Sequence, residues 1–279
     1  MSLSYEVHVS PSALRAGEQR MPNGDRLYWN PISTTLVYGE REAVLVDPPF
    51  LTEQIQQVGD WVERSGKELI AIYATHGHGD HWFGAGELVK RFPGAKVYAT
   101  PGTIEIMHQQ ATIGRERLWD VIFPGQIPAT PVLAEPLPAE GITLEGELLQ
   151  AIETGHTDTD QTTVLHVPSI GLVIAGDVAY NGIHQYIAEG ADGGFEAWVD
   201  ALDRVAALKP KAVVAGHKNV DLPDDPAVLE TTRQYLQDVI KFRAEAPTAQ
   251  NFYDRMIERH PDRRNPSPLW YGALALFAQ

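Results

Sequence analysis

Residues 69–83 read LIAIYATHGHGDHWF. Leu69–Ala74 is an apolar run of strand length, and an uninterrupted run of that kind predicts a strand buried on both faces. Directly after it come His76, His78, Asp80 and His81, four metal-ligating side chains within six residues. A solvated polar loop accounts for one or two histidines, but not for three with an aspartate at the carboxyl end of an apolar strand. Imidazole and carboxylate are the donors that suit zinc, iron and manganese. Glycines at 77 and 79 predict a sharply turning backbone on which neighbouring side chains converge.

Ligands this close on one loop cannot fill two coordination spheres, so the remainder must come from other strand ends. Three segments repeat one pattern, an apolar strand, then glycine, then a ligand-type side chain. They place His156 after Leu148–Glu153, Asp177 after Leu172–Ala175 and His217 after Ala212–Ala215. Active sites of layered α/β folds gather at strand carboxyl ends, and these positions fit that rule.

Around these segments, short β-rich runs alternate with amphipathic helices. Strand-like pieces fall at Arg26–Asn30, Thr34–Tyr38, Ala43–Val46, Lys96–Ala99, Ile142–Leu144 and Thr162–Val167. Ile55, Val58, Trp61 and Val62 recur at three- and four-residue steps, which predicts a helix over Leu51–Arg64 that Gly66 stops. Further helices are predicted over Thr103–Arg115, Phe195–Leu208 and, with breaks at Pro247 and Pro261, from Pro226 to the end. Prolines at 124, 128, 131, 136 and 138 read as an extended surface excursion, because proline lacks the backbone donor that a helix needs. Two sets of strands separated by helices predict two packed sheets with helices outside. The expected organisation is one domain over residues 1–279, in which residues 222–279 form a helical C-terminal extension.

The 279 residues are 43% hydrophobic and 21% charged, ordinary for a globular protein. Twenty-two Lys and Arg against 37 Asp and Glu leave a net charge of −15, which repels a phosphate backbone or an anionic membrane surface. Nucleic acid and membrane partners are therefore not expected. The absence of cysteine excludes disulfides, thiolate-bound zinc and a cysteine nucleophile. No basic, apolar leader is visible in MSLSYEVHVS and no apolar run approaches ~20 residues, so a cytoplasmic protein is expected. Pro268–Ala278 reads as a buried terminal helix.

The order Asp47, THGHGDH at 75–81, GH at 155–156, GD at 176–177 and GH at 216–217 resembles the metallo-β-lactamase fold superfamily. The resemblance implies an αββα four-layer sandwich with a metal site on one edge. It further implies that His76, His78 and His156 hold one ion, that Asp80, His81 and His217 hold a second, and that Asp177 bridges them. Asp47 is then expected to hydrogen-bond the ligand loop and orient an imidazole.

With no cysteine ligand, the chain is unlike the β-lactamases that use one, and its full HxHxDH…H…D…H set is similar to glyoxalase II and the acyl-homoserine-lactone lactonases. The implied activity is hydrolysis of a small ester, lactone, thioester or amide, in which hydroxide held by two zinc ions attacks the carbonyl carbon and Asp80 accepts the proton. Iron and manganese suit the same donors. Asp177-Val-Ala-Tyr180 resembles the lactonases, in which the tyrosine faces the substrate carbonyl. His184 is expected to line the pocket against a substrate carboxylate. Trp82 and Phe83 are candidates for a cleft wall or, equally, for a helix packing face, and Trp119, Ile122 and Phe123 for a lid. His8, His108, His166 and His260 read as structural. Two rivals remain: a mononuclear iron dioxygenase of the same fold, similar to the persulfide dioxygenases, and a metal-binding protein without turnover. A homo-oligomer is left open.

Overall fold

The computed structural model describes residues 2–278; Met1 and Gln279, the ends of the expected 1–279 span, lie outside the described residues. The chain begins with β1 (Ser4–Ser10), β2 (Ala13–Leu14), β3 (Tyr28–Trp29), β4 (Ile32–Tyr38) and β5 (Glu42–Val46). Then follow α1 (Thr52–Arg64), β6 (Glu68–Tyr73), α2 (Ala85–Arg91), β7 (Lys96–Ala99) and α3 (Pro101–Gln109). A π-helical stretch (Gln110–Trp119) leads into α4 (Asp120–Ile122), β8 (Glu135–Pro136), β9 (Ile142–Leu144) and β10 (Glu147–Gly155). The rest is β11 (Thr162–Val167), β12 (Leu172–Asn181), α5 (Gly194–Ala207), β13 (Ala212–Lys218), α6 (Ala227–Glu245), α7 (Ala249–Arg259) and α8 (Ser267–Phe277).

One sheet has the order β1-β4-β5-β6-β7-β8, and the other β13-β12-β11-β10-β9. Successive strand residues point to opposite faces, and both faces here are apolar. Val37, Val44, Val46 and Tyr73 of the first sheet meet Leu149, Leu165, Val167 and Ile174 of the second in a shared inner layer. Their neighbours Leu36, Leu45 and Ile72 face outward onto Ile55, Val58 and Val62 of α1. On the far side Val164, Val173 and Val213 face Trp198, Leu202 and Val205 of α5. The layer order is therefore αββα, as expected. Each fully buried side chain of this kind contributes about 1.5–3 kcal/mol. Phe252 and Met256 of α7 and Leu269 and Leu276 of α8 join the second helical layer, which makes the C-terminal helices part of its core. Among the described residues, no helix is long and apolar enough to cross a membrane.

Three local differences from expectation bear on the site. The helix predicted to stop at Arg115 continues to Ile122 through the π stretch. Its wider turns bring Gln110 and Trp119 to one side, where the Trp119 indole donates to Gln110 Oε1 at 2.6 Å. The proline-rich excursion adds β8 to the sheet edge, where a missing donor costs no ladder bond. Finally, β12 and β13 run on past their glycines, so Asp177 and His217 lie within strands and not beyond them. The β12–β13 register shifts around Gly176, and irregularities of this type re-aim side chains at site edges.

Candidate metal centre

The HGHGDH loop is fixed from below by Asp47. At the end of β5, Asp47 Oδ1 accepts the Thr75 backbone N–H and Oδ2 accepts the Thr75 hydroxyl, both at 2.8 Å. The same Oδ2 is 3.3 Å from His81 Nδ1. Asp47 thus touches both the loop and the His81 ring. The Trp82 indole donates to Gly77 O at 2.8 Å and closes the loop from its other side. Gly77 keeps an ordinary negative φ, and glycine is required there for space: a Cβ would collide with the side chain of Ile106. Trp82 and Phe83 are wholly buried in the first core and form no cleft wall.

Besides Asp47 with His76 and His81, two groups of donors result. His76, His78 and Asp158 bring ligand atoms within 4.8 Å of one another, and so do Asp80, His81 and His217. Asp158 Oδ2 is 2.7 Å from His78 Nδ1 and 3.7 Å from His76 Nε2. Asp177 joins the second group, with Oδ1 3.3 Å from His81 Nε2 and Oδ2 3.1 Å from His217 Nε2. His217 Nδ1 donates to Pro31 O at 2.7 Å, which turns Nε2 toward the cluster. The approach of β13 requires Gly216, whose added Cβ would strike Asp177.

Titration behaviour follows from this crowding. Burial works against a charged His81, yet Asp80 and Asp177 outweigh it and hold the imidazole at about 10. Burial likewise opposes charge on His78 and His217, yet Asp158 and then Glu189 raise the first, and Asp177 raises the second. His76 is lowered by burial and by His81. Asp177 is lowered despite its burial, through His217 and His81.

His76 Nε2, His81 Nε2 and Asp177 Oδ1 are buried and have no hydrogen-bond partner. A buried polar atom without a partner is costly, and three in one cluster of imidazoles and carboxylates fit the coordination of divalent metal ions.

The structure brings together His76, His78, Asp80, His81, Asp177 and His217, but not His156. His156 Nδ1 is 2.7 Å from Asp160, and its Nε2 is turned toward Gly194, buried and unpartnered. Asp158, two residues further on, occupies the place beside His76 and His78. Tyr180 is also placed differently from expectation. Its hydroxyl donates to Asp177 Oδ2, and its ring is wholly buried between Trp198 and His217. Burial, and then Asp177, raise the phenol well above 10, so the proton stays on the tyrosine. His184 lies outside the pocket lining, with Nδ1 3.0 Å from the Tyr235 hydroxyl. Burial and Arg263 lower it to about 3, so it is neutral and has no charge to offer a carboxylate.

Tyr180→Phe removes one hydrogen bond to a buried carboxylate, which is worth about 1.5–3 kcal/mol. Urea unfolding of chelator-treated protein should show a loss of that size. An unchanged midpoint would mean that the Tyr180–Asp177 contact carries no weight.

Above the cluster is a narrow pocket of about 40 Å³ lined by Trp29, Asn30, His78, Asp80, Gln110, Leu118, Trp119, Asp158, Asp177, Tyr186, Glu189, His217 and Tyr271. Trp119 is the one member of the expected lid in this lining; Ile122 and Phe123 pack into the core. The Trp29 indole donates to Asp80 Oδ2 at 2.7 Å, and Glu189 Oε1 is 3.0 Å from His78 Nε2. Sequence reasoning did not find Trp29, Asp158, Tyr186, Glu189 or Tyr271. For Asp158 a signal was available, since it lies two residues from His156 in GHTDTD.

Residues 27–217 match the family model of the metallo-beta-lactamase superfamily, and the chain belongs to that superfamily. It is 24% identical over 220 residues to the metallo-beta-lactamase type 2 of Bacteroides fragilis, a match covering 76% of this chain and 77% of the relative. A hydroxyacylglutathione hydrolase of Francisella tularensis is 37% identical over 67 residues, 24% of this chain and a quarter of the relative's length. Among solved structures, a metallo-beta-lactamase family protein from Thermus thermophilus superposes with a TM-score of 0.64 at 18% identity, covering 97% of this chain and 91% of that one. This likeness shows the fold.

Proposed function

We propose that the chain is a metal-dependent hydrolase of small carbonyl compounds, an ester, lactone, thioester or amide, with two zinc ions as its cofactor. The observation that carries this reading is the set of unpartnered buried donors, His76 Nε2, His81 Nε2 and Asp177 Oδ1, in a cluster of which His78, Asp80, Asp158, Asp177 and His217 line one pocket. His76, His78 and Asp158 would hold one ion and Asp80, His81 and His217 the other, with Asp177 between them. Ions so held lower the pKa of water toward ~7 and polarise a carbonyl oxygen. The relatives named as a β-lactamase and a hydroxyacylglutathione hydrolase support hydrolysis as the reaction type.

The protein's own groups divide the remaining tasks. Asp80 Oδ2 accepts from the Trp29 indole and faces His81 and His217, where its second lone pair would meet the ion, and Oδ1 would receive the proton of an attacking water. Tyr180 holds Asp177 in orientation and makes no carbonyl contact. Trp29, Trp119 and Tyr271 exclude bulk water, which strengthens every electrostatic interaction beneath them. The net charge of −15 disfavours a polynucleotide substrate.

Treatment with dipicolinate should abolish hydrolysis of a simple aryl acetate, and added zinc should restore it. Full activity in metal-free protein would end this reading. A second reading, a mononuclear iron oxygenase, is favoured by one observation: His76, His78 and Asp158 form a two-histidine, one-carboxylate set, which suits ferrous iron. Protein isolated without added metal and holding one iron, with oxygen consumption, would establish it.

The third ligand of the first site has its own test. Asp158→Ala should lose about one equivalent of metal, and His156→Ala should retain both, by elemental analysis after dialysis. The reverse result would return that place to His156, as family order implies.

A further inference from the structure

The pocket above the donor cluster has a one-sided chemistry. Four carboxylates line it, those of Asp80, Asp158, Asp177 and Glu189, and among the described residues no lysine or arginine does. Two divalent ions would only bring this lining to formal neutrality and leave no positive surplus to attract an anion. Three of the carboxylates are deeply buried in the cluster. Glu189 differs: its side chain is 41% exposed, and its Oε1 is 3.3 Å from the Tyr186 hydroxyl. It is therefore the carboxylate that an entering molecule meets.

The remaining lining is largely aromatic. The rings of Trp29 and Tyr271 lie nearly parallel, 14° apart with centroids at 6.2 Å. Tyr186 sits 5.8 Å from Tyr271 at a tilt of 47°, and Trp119 is 5.0 Å from Trp29 at a tilt of 60°, so Trp29 and Tyr271 present the flat part of the wall. Arg15 stacks on Tyr271 at 4.5 Å but does not line the pocket.

We propose that the substrate is an uncharged carbonyl compound bearing a flat apolar group, and that Glu189 is the specificity residue that rejects anions. This deepens the hydrolase reading and rests on it. The aromatic walls take the flat group, and the carbonyl is thereby directed toward the donor cluster. A carboxylate on the substrate would have to approach Glu189, whose one basic neighbour, His78, is 3.0 Å away and is shared with Asp158 at 2.7 Å, which leaves no cation to spare for a further anion. Like charges about 5 Å apart near a protein surface repel by an amount on the order of 100-fold in binding. Glutathione thioesters, with two free carboxylates, are poor candidates on this account.

The test compares methyl 4-acetoxybenzoate with 4-acetoxybenzoate on the zinc-loaded protein, each kcat/KM divided by the rate with hydroxide alone. The neutral ester should be preferred on the order of 100-fold. Equal rates, or preference for the anion, would overturn the proposal. Calorimetric titration with the matched amides, methyl 4-acetamidobenzoate and 4-acetamidobenzoate, reads the same selectivity without turnover. If neither ester is hydrolysed, the hydrolase reading fails, and the amide pair alone decides: tighter binding of the neutral amide supports the inference, and equal or reversed binding refutes it. In Glu189→Gln the ratio of the two amide binding constants should shrink at least tenfold through improved binding of the anion. A ratio that stays at the wild-type value would remove Glu189 from the assignment.

Discussion

His81→Ala should yield a protein that binds no ion at the second site and hydrolyses carbonyl substrates on the order of 10³-fold more slowly. His81 is wholly buried and stands among three carboxylates, with Nδ1 toward Asp47 and Nε2 toward Asp80 and Asp177. Its removal takes one donor from the ion and leaves the acids without a cation between them. An ion placed to polarise a carbonyl supplies several kcal/mol of transition-state stabilisation, which is the source of the rate estimate. Uncompensated buried charge costs about 3–5 kcal/mol in addition, so the melting temperature should fall as well. Elemental analysis, steady-state hydrolysis and a thermal scan on one preparation test all three effects. A variant with full metal content and wild-type rate would show that the cluster is not the working site.

Asp47→Asn should weaken metal binding by about 10–100-fold, the usual penalty for losing a carboxylate behind a ligating histidine. Asp47 accepts from Thr75 twice and faces His81 Nδ1, so it orients both the loop and the ring. An asparagine keeps the shape but replaces one acceptor with a donor, and one of those contacts then sets donor against donor. Competition with a fluorescent chelator gives the affinity. His166→Ala, in β11 and outside every donor group, is the control and should bind as wild type. Equal affinities for the Asn variant and the wild type would reduce Asp47 to a loop anchor.

Much of the donor cluster was legible because its parts are local. Three histidines and an aspartate in six residues, after an apolar strand, need no tertiary information to be noticed. His217 and Asp177 were legible as repeats of one strand–glycine–ligand pattern, and the structure explains the glycine in the last: β13 cannot pass Asp177 with a Cβ at position 216. The layers were legible from strand and helix runs, since Leu36 with Val37 and Val44 with Leu45 already offer apolar groups to two opposite faces.

The pocket was not legible. Trp29, the neighbouring pair Tyr186 and Glu189, and Tyr271 come from three chain segments far apart, and each is unremarkable among its neighbours. The choice between His156 and Asp158 turns on the path of the loop after Gly155, where φ is +90° and the β10–β11 register shifts, and spacing alone does not encode that path. His184 was read as a site residue because it follows Asp177 closely, and Tyr180 because Asp177-Val-Ala-Tyr180 resembles the lactonase pattern. Distance along β12 and its exit says nothing about which face a side chain takes. The structure sends the first onto Tyr235 and the second onto Asp177 itself.

Anomalous diffraction at the zinc edge from crystals of zinc-loaded protein tests the central claim most directly. Two peaks are predicted, one within about 2.0–2.2 Å of His76 and His78 donor atoms and one at the same distance from His81 and His217, with Asp177 between them. A map with no peak among these residues, or with zinc bound only elsewhere on the chain, would contradict the account.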